Sequence, residues 1–235
     1  PDGFSSAEAS LATLRGVFPW GDVRAADRYA QRALELEGPG SPWRAVACWA
    51  VALAPFYRDE LAAADRWFTE VAALAPARGQ WLIAASALGC RSLIAGHEGR
   101  IEAQAELAQD AITLAREHGL EDNIAAPTLA LGVSLTAQGL PSEALPVLEH
   151  AVAVTRFRGQ PLLLVRALRY LAQTWAVLGE HDRSNAASDE ARSVLAACLD
   201  PPIQHDTTAL ADPPARERDT FISEPIHALR TSDTQ

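Results

Sequence analysis

Leu131-Gly132, followed by Gly139-Leu140-Pro141-Ser142-Glu143-Ala144-Leu145 and then by Leu148, Ala151 and Val154, reads as helix, glycine turn, helix. Ala144, Leu148 and Ala151 fall at i, i+4, i+7, which is one face of a helix. Forty residues back, Gly99 stands at the same phase as Gly139, and forty forward stands Gly179. Asp59 holds the phase before Gly99, and Gly21 lies 38 residues before Asp59. A fixed period of this size is the signature of a stacked helical repeat.

The register extends past the turn points. Two residues after each come Val23, Leu61, Ile101, Pro141 and His181. Five after come Ala26, Ala64, Gln104, Ala144 and Ser184, and twelve after come Ala33, Val71, Ala111, Ala151 and Ala191. Small residues at a fixed phase let two antiparallel helices approach closely. Five units of about 40 residues fill Ser5 to about Asp200, against about 34 for a standard tetratricopeptide repeat and about 40–47 for HEAT-like units. The expected fold is all-α: a right-handed superhelix of about five antiparallel helix pairs over residues 1–200. A disordered acidic tail is expected over residues 201–235.

Along the chain, Ser5 or Ser6 caps a helix through Val17, and Val23–Leu36 forms its partner. Ser41-Pro42 opens a helix from Pro42 to Arg58 that is apolar nearly all round, with Pro55 kinking or ending it. Asp59–Leu74, Trp81–Gly96 and Gly99–Glu117 follow. Pro127 opens the fourth inner helix, and Pro146 implies a late start or a kink in its partner. Leu162–Leu178 and His181–Ala197 close the array, the last with the one-sided apolar pattern of a capping helix. The tail shows no period, and its six large apolar residues do not offset the entropy of ordering it.

Composition excludes several functions. The chain has 235 residues and a net charge of −10, and all twenty basic residues are Arg. Without Lys there is neither a phosphate-loop Lys nor a Schiff base. The acidic balance and the lack of a basic stripe argue against nucleic-acid binding by this segment. Cys48, Cys90 and Cys198 lack metal spacing and read as free thiols in a reducing, cytoplasmic compartment. The longest apolar run, Ala45–Tyr57, has thirteen residues, where a membrane span needs about 20. No signal peptide is visible, and the absence of Met marks the chain as an excised domain, a processed product or a fragment.

Catalytic motifs are missing. Gly38 and Gly40 follow no strand, and His97-Glu98 has no second His at zinc-protease spacing. Gly132-Val133-Ser134-Leu135-Thr136 departs from the nucleophile elbow at its last position. No cofactor, metal or catalytic set is expected, and the chain does not read as an enzyme. What remains is a surface. The inner helices place Arg15, Trp49, Phe56, Tyr57, His97, Arg166, Arg169 and Gln173 on the concave face, apolar in the middle and cationic at the far end. Such a groove suits a small molecule or a peptide. The same residues also read structurally: Trp49, Leu53 and Phe56 as core, and Arg166 and Arg169 as partners of acidic residues across the repeat.

The stretches Phe18-Pro19-Trp20-Gly21-Asp22-Val23, Gly40-Ser41-Pro42-Trp43-Arg44, Ala64-Asp65-Arg66-Trp67-Phe68, Arg91-Ser92-Leu93-Ile94-Ala95-Gly96 and Glu143-Ala144-Leu145-Pro146-Val147-Leu148-Glu149 carry a family resemblance. Over about residues 5–200 the chain resembles the tetratricopeptide-like repeat region of large ATP-dependent transcriptional regulators of the LuxR type, the class of the maltose-regulon activator. In that family an ATPase precedes the array and a helix-turn-helix follows it. The resemblance implies a non-catalytic region that senses a small-molecule inducer or a protein partner and gates homo-oligomer formation. The chain has no ATPase motif, and only Ala215-Arg216-Glu217-Arg218-Asp219 faintly resembles the start of a DNA-binding domain. The alternative is a stand-alone scaffold or adaptor that binds a peptide or protein partner.

Overall fold

The computed structural model describes residues 3–120 and 124–198. The boundary at residue 200 and the tail lie outside them. Ten α-helices are present among the described residues: α1 (Ala7–Val17), α2 (Val23–Leu36), α3 (Arg44–Tyr57), α4 (Leu61–Leu74), α5 (Trp81–His97), α6 (Ile101–Glu117), α7 (Ala125–Ala137), α8 (Pro141–Phe157), α9 (Pro161–Val177) and α10 (His181–Ala196). They form five antiparallel pairs, each packed on the next, in a right-handed tetratricopeptide-like superhelix. Among the described residues no helix is long and apolar enough to cross a membrane.

The turn points set the frame. Gly99, Gly139 and Gly179 have φ of +76°, +78° and +80°, and Asp59 has +57°. Gly79, Gly119 and Gly159 also lie at positive φ, so from Asp59 onward a left-handed residue recurs every 20 positions. Each ends a helix in the same way. At Gly139 the amide donates to Thr136 O (3.1 Å), and Leu140 N–H donates back to Leu135 O (2.9 Å). This pairing satisfies carbonyls that the helix end leaves open. The next helix then starts at Pro141, two residues on.

The small-residue register lies in the interior. Ala33, Val71, Ala111 and Ala151 are fully buried and Ala191 nearly so. At Gly132 an added Cβ would sit 2.6 Å from Leu148 Cγ, so the glycine is what lets α7 and α8 touch. Gln104 occupies a phase held by Ala in three other repeats; opposite it stands Gly96, where a Cβ would meet its amide at 2.6 Å.

Some helix starts differ from the sequence reading. The second pair opens at Arg44, not Pro42. Ser41-Pro42-Trp43 is a tight turn, closed by Arg44 N–H to Ser41 O (3.2 Å), with Pro at the position such turns favour. Arg44 then reaches back to Leu34 O (2.9 Å) and Glu37 O (3.0 Å). Asp59 and Gly99 are left-handed turn residues, not helix starts, so α4 and α6 begin two residues later. α7 begins at Ala125, which puts Pro127 in its first turn, where an N–H has no helical partner. Pro146 does not delay α8: the helix runs continuously from Pro141 to Phe157. The lost N–H bond there is outweighed by complete burial of Ala144, Leu148 and Ala151 around it.

The superhelix curls far enough for its ends to meet. Gly21, in the first turn, approaches Cys198 so closely that a Cβ there would lie 2.9 Å from Sγ. Arg166 on α9 crosses to the end of α3.

Candidate functional site

The curl forms a partly open cavity of about 280 Å³ on the inner face. α3 supplies its aromatic wall, Trp49, Leu53, Phe56 and Tyr57. α5 adds Ser86 and Cys90, and the start of α7 adds Ala125 and Ala126. Two turns distant in sequence close the mouth: Phe18-Pro19-Trp20 from the first pair and Arg158-Gly159-Gln160-Pro161 ahead of α9.

Aromatic packing fixes the wall. Phe56 lies edge-on to the buried Phe68 ring at 5.5 Å, and Trp49 is tilted against the same ring at 5.3 Å. Helical spacing on α3 aims Trp49, Leu53 and Phe56 the same way. Apart from Arg158 at the mouth, the polar groups of the cavity are few and neutral. Burial pushes the Tyr57 phenol well above its ordinary range, helped by the neighbouring Cys90. Burial likewise pushes the Cys90 thiol up to about 12. Both therefore act at neutral pH as weak donors, not as charges. Gln160 Oε1 is buried without a hydrogen-bond partner among the described residues.

Behind Phe56 lies Arg166, with only 11% of its side chain exposed. Its Nη2 donates to Phe56 O and to Asp59 Oδ1, both at 2.6 Å. Its guanidinium centre also lies 4.3 Å from the Phe56 ring centroid. This contact explains Asp59. The other repeats place glycine at this left-handed phase; Asp is among the few side chains that tolerate it, and here its carboxylate receives Arg166.

Of the eight residues expected on the concave face, Trp49, Phe56 and Tyr57 line the cavity and Arg166 braces it from behind. Gln173 lines a separate hollow of about 200 Å³ between α7 and α9, with Tyr170 and Thr174. Arg169 is half-buried on α9. Arg15 instead turns to α2, donating to the Tyr29 hydroxyl at 2.6 Å over its ring. His97 is exposed at the end of α5. The sequence reading did not include the Phe18-Pro19-Trp20 and Arg158–Pro161 turns, or the small polar set of Ser86, Cys90 and Gln160. A Trp in a Pro-Trp-Gly turn is the one local signal that pointed to the first of these. No group of three or more His, Cys, Asp or Glu side chains suited to a metal occurs among the described residues.

A family model described as the MalT-like TPR region matches residues 9–199. No curated protein matches the sequence. Among solved structures, a Rap protein complexed with competence and sporulation factor is similar over 80% of this chain, at 16% identity and a TM-score of 0.61. This chain spans 54% of that protein's length. A thermophilic TPR protein of Thermus thermophilus is similar over 81% of this chain and 93% of its own, at 20% identity and a TM-score of 0.53.

Proposed function

This chain belongs to the MalT-like TPR region family, and from that premise we propose that it is a ligand-sensing repeat region of a LuxR-type transcriptional regulator, without catalysis of its own. It would work in the cytoplasm, in signal transduction, and bind no nucleic acid itself. The observation that carries this reading is the cavity: an aromatic wall, few polar groups and a mouth formed by both ends of the array. Its volume of about 280 Å³ falls just below the usual span of small-molecule sites, about 300–1,000 Å³. That size and the aromatic wall favour a compact, largely apolar inducer over a folded partner. Because both ends of the superhelix contribute to the site, a bound ligand would favour the curled state over a more open one, the differential affinity that a sensor needs.

The second reading is a scaffold that takes a peptide or protein partner, and the Rap protein of similar fold is itself complexed with competence and sporulation factor. A thermal-shift screen separates the two. Neutral aromatic and aliphatic small molecules are tested against the chain and against Ser86→Phe, which fills the cavity. A compound that raises the melting temperature of the first and not of the second supports sensing. Stabilisation that Ser86→Phe leaves intact, or that only peptides produce, moves the function to the scaffold.

A further inference from the structure

We infer that the outer face of α1 is a stacking surface for an antiparallel helix pair of the same repeat type. α1 is built inside out. It buries Ala9, Ala12, Thr13 and Gly16, all small, while Leu11 and Leu14 are 49% and 53% exposed. These two are spaced i, i+3, on one side of the helix.

The internal register says what that side is for. Gly16 approaches Ala30 of α2 as Gly132 approaches Leu148 of α8. That match aligns Leu11 and Leu14 with Pro127 and Ala130 of α7, which are both buried. One repeat earlier the same positions are Ala87 and Cys90, and two earlier Ala47 and Ala50, every one at most 2% exposed. In α3 the helix pair before it provides the cover: Ala47 clusters with Ala12 and Ala33, and Ala50 with Ala30. α1 therefore presents the face that α3, α5 and α7 use to receive the preceding pair, and presents it with larger apolar side chains. A partner must offer a shallow surface of small apolar residues, as α1 and α2 offer α3.

A second copy fits less well. α10, at the far end, buries only Ala187 and Ala191, tucks Val194 and Leu195 against the core, and exposes mostly polar side chains. A stable dimer buries about 800 Å² per partner, more than two side chains on one short helix supply. So small an interface holds when the pair is tethered to the chain and its effective concentration is high.

The full chain is expressed alone and with a copy of residues 81–120 fused to its N-terminus, each with Leu14, Leu14→Ala and Leu14→Arg. In a linear array a matched neighbour adds interface energy directly. The fusion is expected to raise the melting temperature by roughly 5 °C, with both substitutions removing most of the gain and moving the unfused chain by about 1–2 °C. No gain, or a gain that neither substitution reduces, overturns the inference. So does an unfused chain that sediments as a dimer and dissociates on Leu14→Arg, since a second copy would then be the occupant.

Discussion

Asp59→Gly sets two effects of opposite sign against each other. Asp59 holds φ at +57°, and glycine there relieves left-handed strain of about 1 kcal/mol. The substitution also takes the carboxylate from Arg166, whose side chain is only 11% exposed. Removing one partner of a fully buried pair costs about 3–5 kcal/mol. Asp59 itself is 36% exposed, and Phe56 O continues to accept from Arg166, so about 2–4 kcal/mol is the appropriate range. The net expectation is a loss of about 1–3 kcal/mol, which lowers the melting temperature by about 2–10 °C for a domain of this size. Thermal unfolding followed by circular dichroism reads it directly. Asp59→Asn keeps a residue that tolerates the left-handed conformation and loses only the charge, so it should fall between. A melting temperature raised by Asp59→Gly would refute the reasoning: glycine would be the better residue, and the Arg166 contact would not hold the curl.

Three further outcomes follow from the packing. Gly89→Ala places a Cβ 2.7–2.9 Å from backbone atoms of Ala126 and Pro127; overpacking of about 1–3 kcal/mol should exceed the helix-propensity gain of about 1 kcal/mol, and an unchanged or higher melting temperature would show that α5 and α7 are not in tight contact. Ala151→Trp, at a fully buried position, should unfold the fourth pair, and an unaltered melting curve would place the repeat register elsewhere. Burial raises the Cys48 and Cys90 thiols to about 12 from an ordinary 9.0, so a thiol reagent at pH 8 should label the partly exposed Cys198 first and reach the other two only on unfolding. The sign with pH follows: the folded state retains those two protons longer than the unfolded chain, so their contribution is intact below pH 9 and is lost as pH rises towards about 12.

The pairs were legible because their causes are local. A left-handed turn needs glycine or a tolerant Asp, and a close helix contact needs a small residue, so Gly139 and Ala151 declare themselves in the sequence. Pro146 misled because a local penalty was outweighed by tertiary burial of Ala144 and Leu148, which no window of sequence contains. The cavity was half legible. α3 announces Trp49, Phe56 and Tyr57 by being apolar all round, and a helix buried on every side must face something. Which distant turns meet that wall depends on how far the superhelix curls. Curl is the sum of small offsets between pairs, set by side-chain sizes such as Gly96 against Gln104. Hence Phe18, Trp20 and Gln160 could not be placed beforehand, and Arg166 could be paired with an acid but not with Asp59 in particular.

The meeting of the two ends has a consequence for how the molecule is made. Nearly all helix contacts join neighbours in sequence, so contact order is low and any pair can nucleate and grow in either direction. Arg166 on Phe56 is different, bridging 110 positions, and Cys198 against Gly21 reaches further still. Neither contact forms until every pair between is stacked. A chain cut short after α8 would be helical and have no cavity. Whatever binds there adds its free energy only to the complete array, by mass action. Occupancy would thus report completion of folding as well as the presence of the ligand.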